Sequence, residues 1–229
     1  MIERWDANGN VYLVYEGEPL DPDRARELAT GTDGILEVLS ATDDTAEITI
    51  WNPDGSTAEL SGNGTRIAAR WLADRNGAET VVVRVGPREV VARMLGGDMV
   101  EQDMGAVEVY ERERVAGLEV TSVSVGNPHA VVEGDPDDVL LVGPLLETHP
   151  RFPNRTNVQV ARVDGPGRVT ARVWERGVGE TRASGTSAVA VAAATHGEGE
   201  VVVHFPGGDL RVRLAGGRAW LTGPARRLE

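Results

Sequence analysis

The 229-residue sequence contains no cysteine and no lysine. Without cysteine, the chain cannot form disulfides, bind a metal through thiolates or use a thiol in catalysis. All of its basic residues are arginines, and 36 acidic residues outnumber them, which leaves a formal net charge of −13. Because nucleic acids and anionic membrane surfaces would repel this charge, neither is expected as a partner.

Long apolar segments are absent as well. The alanine-rich run 188–194 is far too short to cross a bilayer. The charged start Met1-Ile2-Glu3-Arg4 does not resemble a secretory signal peptide, so a cytoplasmic protein is expected. No metal-ligand spacing and no dinucleotide or P-loop pattern is present, so neither a metal nor another cofactor is expected.

Short runs of β-branched and aromatic residues, separated by glycine, proline and polar turns, predict many strands. Their approximate ranges are 10–15, 35–39, 46–51, 80–85, 89–94, 99–102, 120–125, 130–132, 201–205, 210–214 and 219–222. At Asp21-Pro22, an acidic cap and a proline precede helix formers and predict a short helix. Apolar residues make up 41% of the chain, which is enough to bury a substantial core.

Two similar stretches, Ser61-Gly62-Asn63-Gly64 and Ser184-Gly185-Thr186-Ser187, each lead into an apolar, alanine-rich run. This pattern predicts a loop that opens a helix. The first N–H groups of a helix have no intrahelical partner, and the helix dipole is positive there. Both stretches are therefore predicted to favour an anionic ligand group such as a carboxylate.

The two serine loops belong to a longer internal repeat. Gly9-Asn10 and Gly126-Asn127 are offset by 117 residues, and a tryptophan, Trp51 or Trp174, lies ten residues before each loop serine. Two copies of domain size indicate a duplication rather than a solenoid.

From this duplication we predict an α+β fold of two pseudo-symmetric lobes, each a mostly antiparallel sheet wrapped around a central helix. The predicted lobes are 1–118 and 119–229, and the last strand, about 217–229, is an alternative member of the first lobe. The serine-bearing helix starts of the two lobes are expected to face a shared ligand site.

Further motifs occur in order along the chain: Asn52-Pro53-Asp54-Gly55-Ser56, Asp103-Met104-Gly105, Gly126-Asn127-Pro128-His129, Phe152-Pro153-Asn154-Arg155-Thr156-Asn157, Glu175-Arg176-Gly177 and Thr222-Gly223-Pro224-Ala225. Together with the serine loops they resemble diaminopimelate epimerase and its relatives, the cofactor-independent amino-acid racemases, epimerases and dehydratases. The resemblance covers nearly the whole chain and implies the fold of that family.

The activity implied by this resemblance is interconversion of LL- and meso-diaminopimelate in lysine and peptidoglycan biosynthesis. In the family, one cysteine thiolate removes the α-proton and a second cysteine supplies a proton to the opposite face, without pyridoxal phosphate or metal. The positions of those cysteines are Ser61 and Ser184 in this chain. The implied partner is a small amino acid with an α-carboxylate, and a homodimer is an open alternative to a monomer.

The resemblance also implies a set of substrate-contacting residues. Backbone N–H groups of Gly62, Asn63, Gly185 and Thr186 would bind the α-carboxylate, and the side chains of Asn10, Asn52, Asn127, Asn157, Glu175 and Arg176 would contact other parts of the substrate. His129 would tune a catalytic pKa. Each residue also has a structural interpretation, since asparagine beside glycine or proline is typical of turns and a first-turn residue can simply cap a helix.

The two serines limit the expected activity. A free thiol has a pKa of about 8.5 and an aliphatic hydroxyl one near that of water, about 15.7. The difference of roughly 7 units corresponds to about 10 kcal/mol of additional deprotonation cost. A helix dipole supplies at most about 2 kcal/mol, so it cannot close this gap.

Three interpretations of the serines remain open. They were introduced in place of cysteines, or they belong to a divergent branch in which His129 or Glu175 acts as the base, or the protein binds an amino acid without turning it over. Two further departures from the family pattern are Gly34, near a position that often carries glutamine, and Ser187, where a glycine is customary. The first of these weakens the assignment of diaminopimelate as the specific substrate, and the alternative is a related racemase, epimerase or dehydratase that acts on another amino acid.

Overall fold

The computed structural model describes residues 1–229, which form two compact units. Most of the first unit comes from the N-terminal half of the chain. Its elements are β1 (Ile2–Ala7), β2 (Asn10–Tyr15), α1 (Pro22–Leu28), β3 (Gly34–Ala41), β4 (Thr45–Trp51), β5 (Thr57–Ala58), α2 (Gly62–Asn76), β6 (Thr80–Val85), β7 (Arg88–Met94) and β8 (Met99–Ala106).

Neighbouring strands of the first unit pair mainly in antiparallel fashion. The pairs β1–β2, β3–β4, β4–β5, β6–β7 and β7–β8 are antiparallel, whereas β2–β3 and β4–β6 are parallel. Helix α2 packs against β1, β2, β3, β4, β6 and β7. Its apolar face, which includes the buried side chains of Ile67, Trp71 and Leu72, meets the inward-facing residues of these strands and forms the core of the unit.

The second unit follows along the chain. Its elements are β9 (Glu108–Val109), β10 (Glu113–Val115), β11 (Leu118–Ser124), β12 (Pro128–Glu133), a 3₁₀ turn (Pro136–Asp138), α3 (Val139–Glu147), β13 (Asn157–Gly165), β14 (Arg168–Glu175), β15 (Gly179–Thr181), α4 (Gly185–Thr195), β16 (Gly199–Phe205), β17 (Gly208–Ala215) and β18 (Arg218–Pro224). A last short strand, β19 (Arg226–Arg227), pairs with β1 of the first unit.

Helix α4 is the centre of the second unit. Its small apolar side chains are buried from Ala188 to Ala193, and the helix packs against β11, β12, β13, β14, β16 and β17. A helix that is apolar on all sides is stable only when other elements surround it, which is the situation here. None of the helices combines the length and the apolar character that a membrane-crossing helix requires.

The second unit repeats the order of elements of the first. In each unit a strand pair is followed by a short helix, two longer strands, a very short strand and the serine-capped helix. The second strand pairs in parallel with the strand after the short helix, so that Tyr12 lies opposite Gly34 and His129 opposite Asn157. Tyr12 and His129 have the predicted offset of 117 residues, and the repeated order of elements confirms the pseudo-symmetric α+β fold with a sheet around a central helix.

The unit boundaries differ from the predicted ones. Residues 1–103 and 222–229 form the first unit and residues 104–221 the second, whereas the sequence analysis predicts a boundary at 118/119 and a return of the chain near 217. Met104, Val115 and Leu221 are buried in apolar clusters of the second unit, which accounts for the difference. Both boundaries fall inside continuous strands, β8 and β18, where composition gives no signal of a division.

Candidate active site

The first serine loop opens α2 as predicted. Ser61 is the N-cap residue in an extended conformation, and its Oγ accepts a hydrogen bond from the Gly64 N–H at 3.0 Å. The Tyr12 hydroxyl lies 3.2 Å from the same oxygen. Ser61 is half-buried, so its hydroxyl is held between the helix start and a phenol from strand β2.

A buried arginine supports this helix start. The Arg66 side chain is fully buried, and its guanidinium donates to the Asn63 Oδ1 at 2.9 Å, the Asn8 Oδ1 at 3.0 Å and the Pro224 carbonyl at 2.9 Å. Burial lowers the pKa of Arg66 to about 10, while the charge of Asp6 acts in the opposite direction. Arg66 therefore remains a cation at neutral pH and places a positive charge beneath the loop.

Gln102 from β8 completes the first helix start. This side chain is fully buried. In the amide orientation that satisfies both of its polar atoms, Nε2 donates to the Gly62 carbonyl at 2.9 Å, and Oε1 accepts from the Arg66 N–H at 3.0 Å and from the Thr65 hydroxyl at 2.7 Å. The first turn of α2 is thus held by side chains from another strand as well as by its cap.

The two asparagines of the first unit differ in their surroundings. Asn10 is buried and its Nδ2 lies 3.4 Å from the Ala7 carbonyl, at the limit of a hydrogen bond. Asn52 donates from Nδ2 to the Ser56 Oγ at 3.0 Å, and the Gly55 N–H donates to its carbonyl. Asn52 therefore has the contacts of a turn residue, and substrate contact by either asparagine stays a prediction.

The second serine loop opens α4 at the equivalent place. Ser184 is the N-cap residue and is almost completely buried, but its side chain makes no capping hydrogen bond. Gly185 and Thr186 form the first turn. The Thr186 Oγ1 accepts a weak hydrogen bond from the Asn127 Nδ2 at 3.4 Å. The hydroxyl of Ser184 is thus not used to cap its helix, unlike that of Ser61.

His129 is the centre of a buried hydrogen-bonded chain. Gln159 Nε2 lies 2.9 Å from the Ser187 Oγ and 3.0 Å from the His129 Nδ1, and His129 Nε2 lies 2.9 Å from the Asn127 Oδ1. With Gln159 as donor, Nδ1 is an acceptor, so the imidazole proton is on Nε2 and is donated to Asn127. The Asn127 amide is consequently oriented with its nitrogen towards Thr186.

The charge state of His129 follows from its burial. The side chain is 1% exposed, and burial, together with the nearby charge of Arg176, lowers the pKa of His129 to about 3. The ring is therefore neutral at any pH well above 3. Because a group with such a low pKa is a weak base and both of its nitrogens are engaged, the geometry favours orientation of Asn127 over proton abstraction.

Asn157 links two segments of the second unit. Its Nδ2 donates to the Pro128 carbonyl at 3.0 Å, and its Oδ1 accepts from the Arg176 N–H at 2.9 Å. Both ends of the amide are thus bound to backbone, which positions the turn after β14. Glu175, at the end of β14, accepts a hydrogen bond from the Thr181 hydroxyl.

A cavity of about 470 Å³ opens in the second unit beside these residues. Its lining includes three of the predicted site residues, Asn127, His129 and Arg176, together with Tyr110, Ser122, Val123, Ser124, Gly126, Pro128 and residues 151–156. Two arginines of the lining have carboxylate partners, since Arg151 pairs with Glu113 and Arg155 with Glu147.

Arg176 is the arginine of this cavity that no carboxylate neutralises. Its Nη1 donates to the Asn154 carbonyl at 3.2 Å, and its side chain is partly exposed. The cavity therefore offers a fixed cation to an anionic group. No group of three or more His, Asp and Glu side chains is arranged to hold a metal ion.

Sequence reasoning missed four of these site residues. Tyr12 is 49 residues from Ser61 and Gln102 is 37 residues from Thr65, and no local pattern connects them. Gln159 follows Asn157 by two positions, which places both residues on the same face of β13, and this spacing is a signal that could have identified it. Ser187 was noted only as a departure from the family pattern.

Comparisons with known proteins identify relatives that match nearly the whole chain. The family model described as diaminopimelate epimerase matches residues 121–228. A diaminopimelate epimerase of Synechococcus sp. (strain JA-2-3B'a(2-13)) is 35% identical over 98% of this chain and 94% of its own length. One of Desulforudis audaxviator is 38% identical over 95% of this chain and 93% of its own.

Solved structures show the same fold. A hydroxyproline epimerase of Agrobacterium vitis aligns with 100% of this chain and 90% of its own, with a TM-score of 0.72 and 17% identity. A PhzF-family phenazine biosynthesis protein of Bacillus anthracis aligns over 100% and 96%, with a TM-score of 0.76 and 14% identity. At these identities the similarity concerns the fold alone.

Proposed function

The chain belongs to the diaminopimelate epimerase family, and on that premise we propose that it interconverts LL- and meso-diaminopimelate by proton transfer at the α-carbon. The observation that carries the proposal is the pair of serine-capped helix starts at equivalent positions of the two repeated units. Inversion of a carbon centre requires one proton-transferring group for each face. Lysine and peptidoglycan synthesis in the cytoplasm is the proposed setting.

The α-carboxylate of the substrate would bind to backbone N–H groups at the helix starts. Gly62 and Asn63 begin α2, and Gly185 and Thr186 begin α4, so their N–H groups lack intrahelical acceptors. Donors fixed in this way stabilise the negative charge that moves onto the carboxylate when the α-proton leaves. Arg66 adds a buried cation to the first of the two starts.

Arg176 would bind the second carboxylate, at the far end of the substrate. Its guanidinium lines the cavity of the second unit without a carboxylate partner, and Asn157 holds its backbone. Arginine suits this role because its planar guanidinium can donate two parallel hydrogen bonds to a carboxylate. Glu175, next to it, is the proposed ligand of the substrate's amino group.

Proton transfer by the serines alone would be slow. A serine hydroxyl costs about 10 kcal/mol more to deprotonate than a thiol, which is far beyond the contribution of a helix dipole. His129 offers little compensation because its pKa is lowered to about 3. We therefore assign His129 the role of orienting Asn127 towards α4, and retain Glu175 as a candidate base.

The serine pair also supports a second candidate function, binding of an amino acid without turnover. Such a protein would keep the helix starts and Arg176, which bind anions, and would dispense with a group that removes the α-proton. Both functions predict that the protein binds the amino acid. Only the epimerase function predicts exchange of the α-hydrogen with solvent.

Deuterium exchange separates the two functions. LL-diaminopimelate would be incubated in D₂O with the chain as it stands and with the Ser61→Cys/Ser184→Cys variant, and α-deuterium incorporation and inversion would be followed by NMR. The double variant is expected to catalyse both processes, because it introduces groups with a pKa of about 8.5. Calorimetric titration with the same compound would measure binding by each protein.

A matched control is Ser40→Cys, which introduces a thiol at an exposed serine of β3 and is expected to change nothing. If neither the original chain nor the double variant acts on diaminopimelate, the proposed substrate is wrong. Tight binding by the original chain without any exchange would favour the binding function.

A further inference from the structure

We propose that Tyr12 is a catalytic residue of this chain, which transfers the α-proton at the first helix start in place of a thiol. This inference rests on the proposed function and extends it. The assignment depends on geometry, on the space left by a glycine and on the chemistry of a phenol.

The geometry places the Tyr12 hydroxyl at the mouth of α2. Its oxygen lies 3.2 Å from the Ser61 Oγ, and the Ser61 Oγ accepts the Gly64 N–H. Because one lone pair of the serine oxygen is used in this way, the serine proton is available to Tyr12. A hydroxyl that donates to a phenolate stabilises the ionised form.

Gly34 provides the space in which the Tyr12 ring lies. A Cβ added at this position would lie 2.8 Å from the Tyr12 Cε1 and 2.6 Å from the Trp51 carbonyl oxygen. Gly34 also has a φ of 157°, a backbone conformation that other residues rarely adopt. The Tyr12 ring can therefore occupy its place only because position 34 has no side chain, and a glutamine there would displace the ring.

The internal repeat places a ring with a polar atom at the corresponding position of each unit. Tyr12 and His129 are equivalent residues, since each lies on the second strand of its unit and faces the corresponding residue of a parallel neighbour. The equivalent positions of both units thus carry a titratable ring. His129 is linked to α4 through Asn127, whereas Tyr12 contacts the cap of α2 directly.

The energetic comparison favours the phenol over the serine. A tyrosine has a pKa of about 10, against about 15.7 for an aliphatic hydroxyl and about 8.5 for a thiol. At pH 7 a phenol with this pKa is ionised in about one molecule in 10³, and an aliphatic hydroxyl in fewer than about one in 10⁸. The buried cation of Arg66, whose pKa is influenced by Tyr12, favours the phenolate further.

The proton balance of the step is simple. The Tyr12 phenolate takes the α-proton, so that the Cα–H bond breaks and an Oη–H bond forms. The electron pair remains on Cα and is delocalised into the carboxylate bound at the helix start. In the reverse direction, the neutral Tyr12 returns its proton to Cα and becomes the phenolate again.

The test is Tyr12→Phe, examined with LL- and meso-diaminopimelate separately in D₂O. Inversion is expected to fall at least about 100-fold in both directions, because Tyr12 is lost and only the second group, for which Glu175 is the candidate, remains. Deuterium exchange without inversion should persist from only one of the two isomers, the one whose α-hydrogen faces the remaining group. Tyr15→Phe, on the same strand, is the matched control and should leave both rates unchanged.

Restoration of a thiol provides a second readout. Adding Ser61→Cys to Tyr12→Phe should restore inversion, which a purely structural loss of the tyrosine would not allow. The proposal is overturned if Tyr12→Phe inverts at nearly the original rate, or if exchange falls equally from both isomers. It is also overturned if the original chain shows no exchange while Ser61→Cys/Ser184→Cys does, although that result would support the proposed function.

Discussion

The side chains of Ser187, Gln159, His129, Asn127 and Thr186 form one continuous hydrogen-bonded chain in the second unit. Because the amide nitrogen of Gln159 donates at one end, the direction of each following bond is determined. The result at the far end is a definite orientation of the Asn127 amide beside the first turn of α4. A single glutamine can therefore control which polar atom is presented to a ligand there.

The variant Gln159→Met tests whether Gln159 determines the orientation of the Asn127 amide. The thioether has a similar volume but no donor, so Nδ1 of His129 loses the bond that keeps it unprotonated. We expect the wild-type imidazole to carry its proton on Nε2 and to stay neutral down to about pH 3, and the variant to show a mixture of both tautomers. Nitrogen-15 NMR of the histidine ring measures this directly.

Ser187→Ala is the control for that experiment. It removes one acceptor of the Gln159 amide but leaves the bond from Gln159 to His129. The tautomer should therefore stay unchanged. A single Nε2-protonated species in Gln159→Met would contradict the assigned chain.

The sequence predicts some members of this hydrogen-bonded chain as site residues and does not predict the others. His129, Asn127 and Thr186 were recognised because they lie in motifs, where neighbouring residues supply context. Gln159 and Ser187 have no such context, since they meet only when β13 and α4 pack together. Tyr12 likewise lies in a run of β-branched and aromatic residues that predicts a strand and nothing more. Contacts between distant segments depend on strand register, which composition and spacing do not determine.

The two central helices begin with the same residue type but use it differently. Ser61 caps α2 through its hydroxyl, whereas Ser184 makes no capping bond on α4. Helix α4 is instead stabilised by burial of nearly all of its side chains. A capping hydrogen bond and a packed apolar surface are thus alternative means of stabilising a helix start.

Serine-to-alanine changes are expected to reveal this difference. Ser61→Ala removes the bond from the Gly64 N–H and should lower the free energy of unfolding by about 0.5–2 kcal/mol. Ser184→Ala has no such bond to lose and should have the smaller effect. Urea unfolding followed by circular dichroism provides the comparison, and equal losses would show that the caps contribute alike.

Helix α3 is not predicted from the sequence. Pro136 opens the preceding 3₁₀ turn and Pro144 lies inside the helix, so the segment carries two signals that normally break a helix. In the folded chain Val139, Val142 and Leu146 are buried, and their packing outweighs the proline. In α2 and α4, by contrast, a serine cap and an uninterrupted apolar run agree, and both helices were predicted.

The first unit is discontinuous in sequence, since residues 222–229 belong to it. Within this tail Pro224 provides the carbonyl that accepts from Arg66, and Ala225 is fully buried in the core around α2. Strand β19 adds a pair of residues to β1. The end of the chain therefore contributes to the same helix start as Ser61.

Removal of residues 224–229 should destabilise the protein. The buried guanidinium of Arg66 would lose one acceptor, which costs about 1–3 kcal/mol or more for a charged group, and the contribution of Ala225 to the core would be lost as well. A lower urea midpoint is expected, while removal of Glu229 alone, which is exposed, should have little effect. An unchanged midpoint after the longer deletion would show that the tail is dispensable.

The position of this tail also bears on how the chain folds during synthesis. Domains made on the ribosome usually fold in order from the N-terminus. Here residues 222–229, which complete the first unit, are translated after the second unit, which is contained in the uninterrupted segment 104–221. The first unit can consequently reach its final structure only after the second unit has been synthesised, because the Pro224 acceptor of Arg66 follows that unit in the chain.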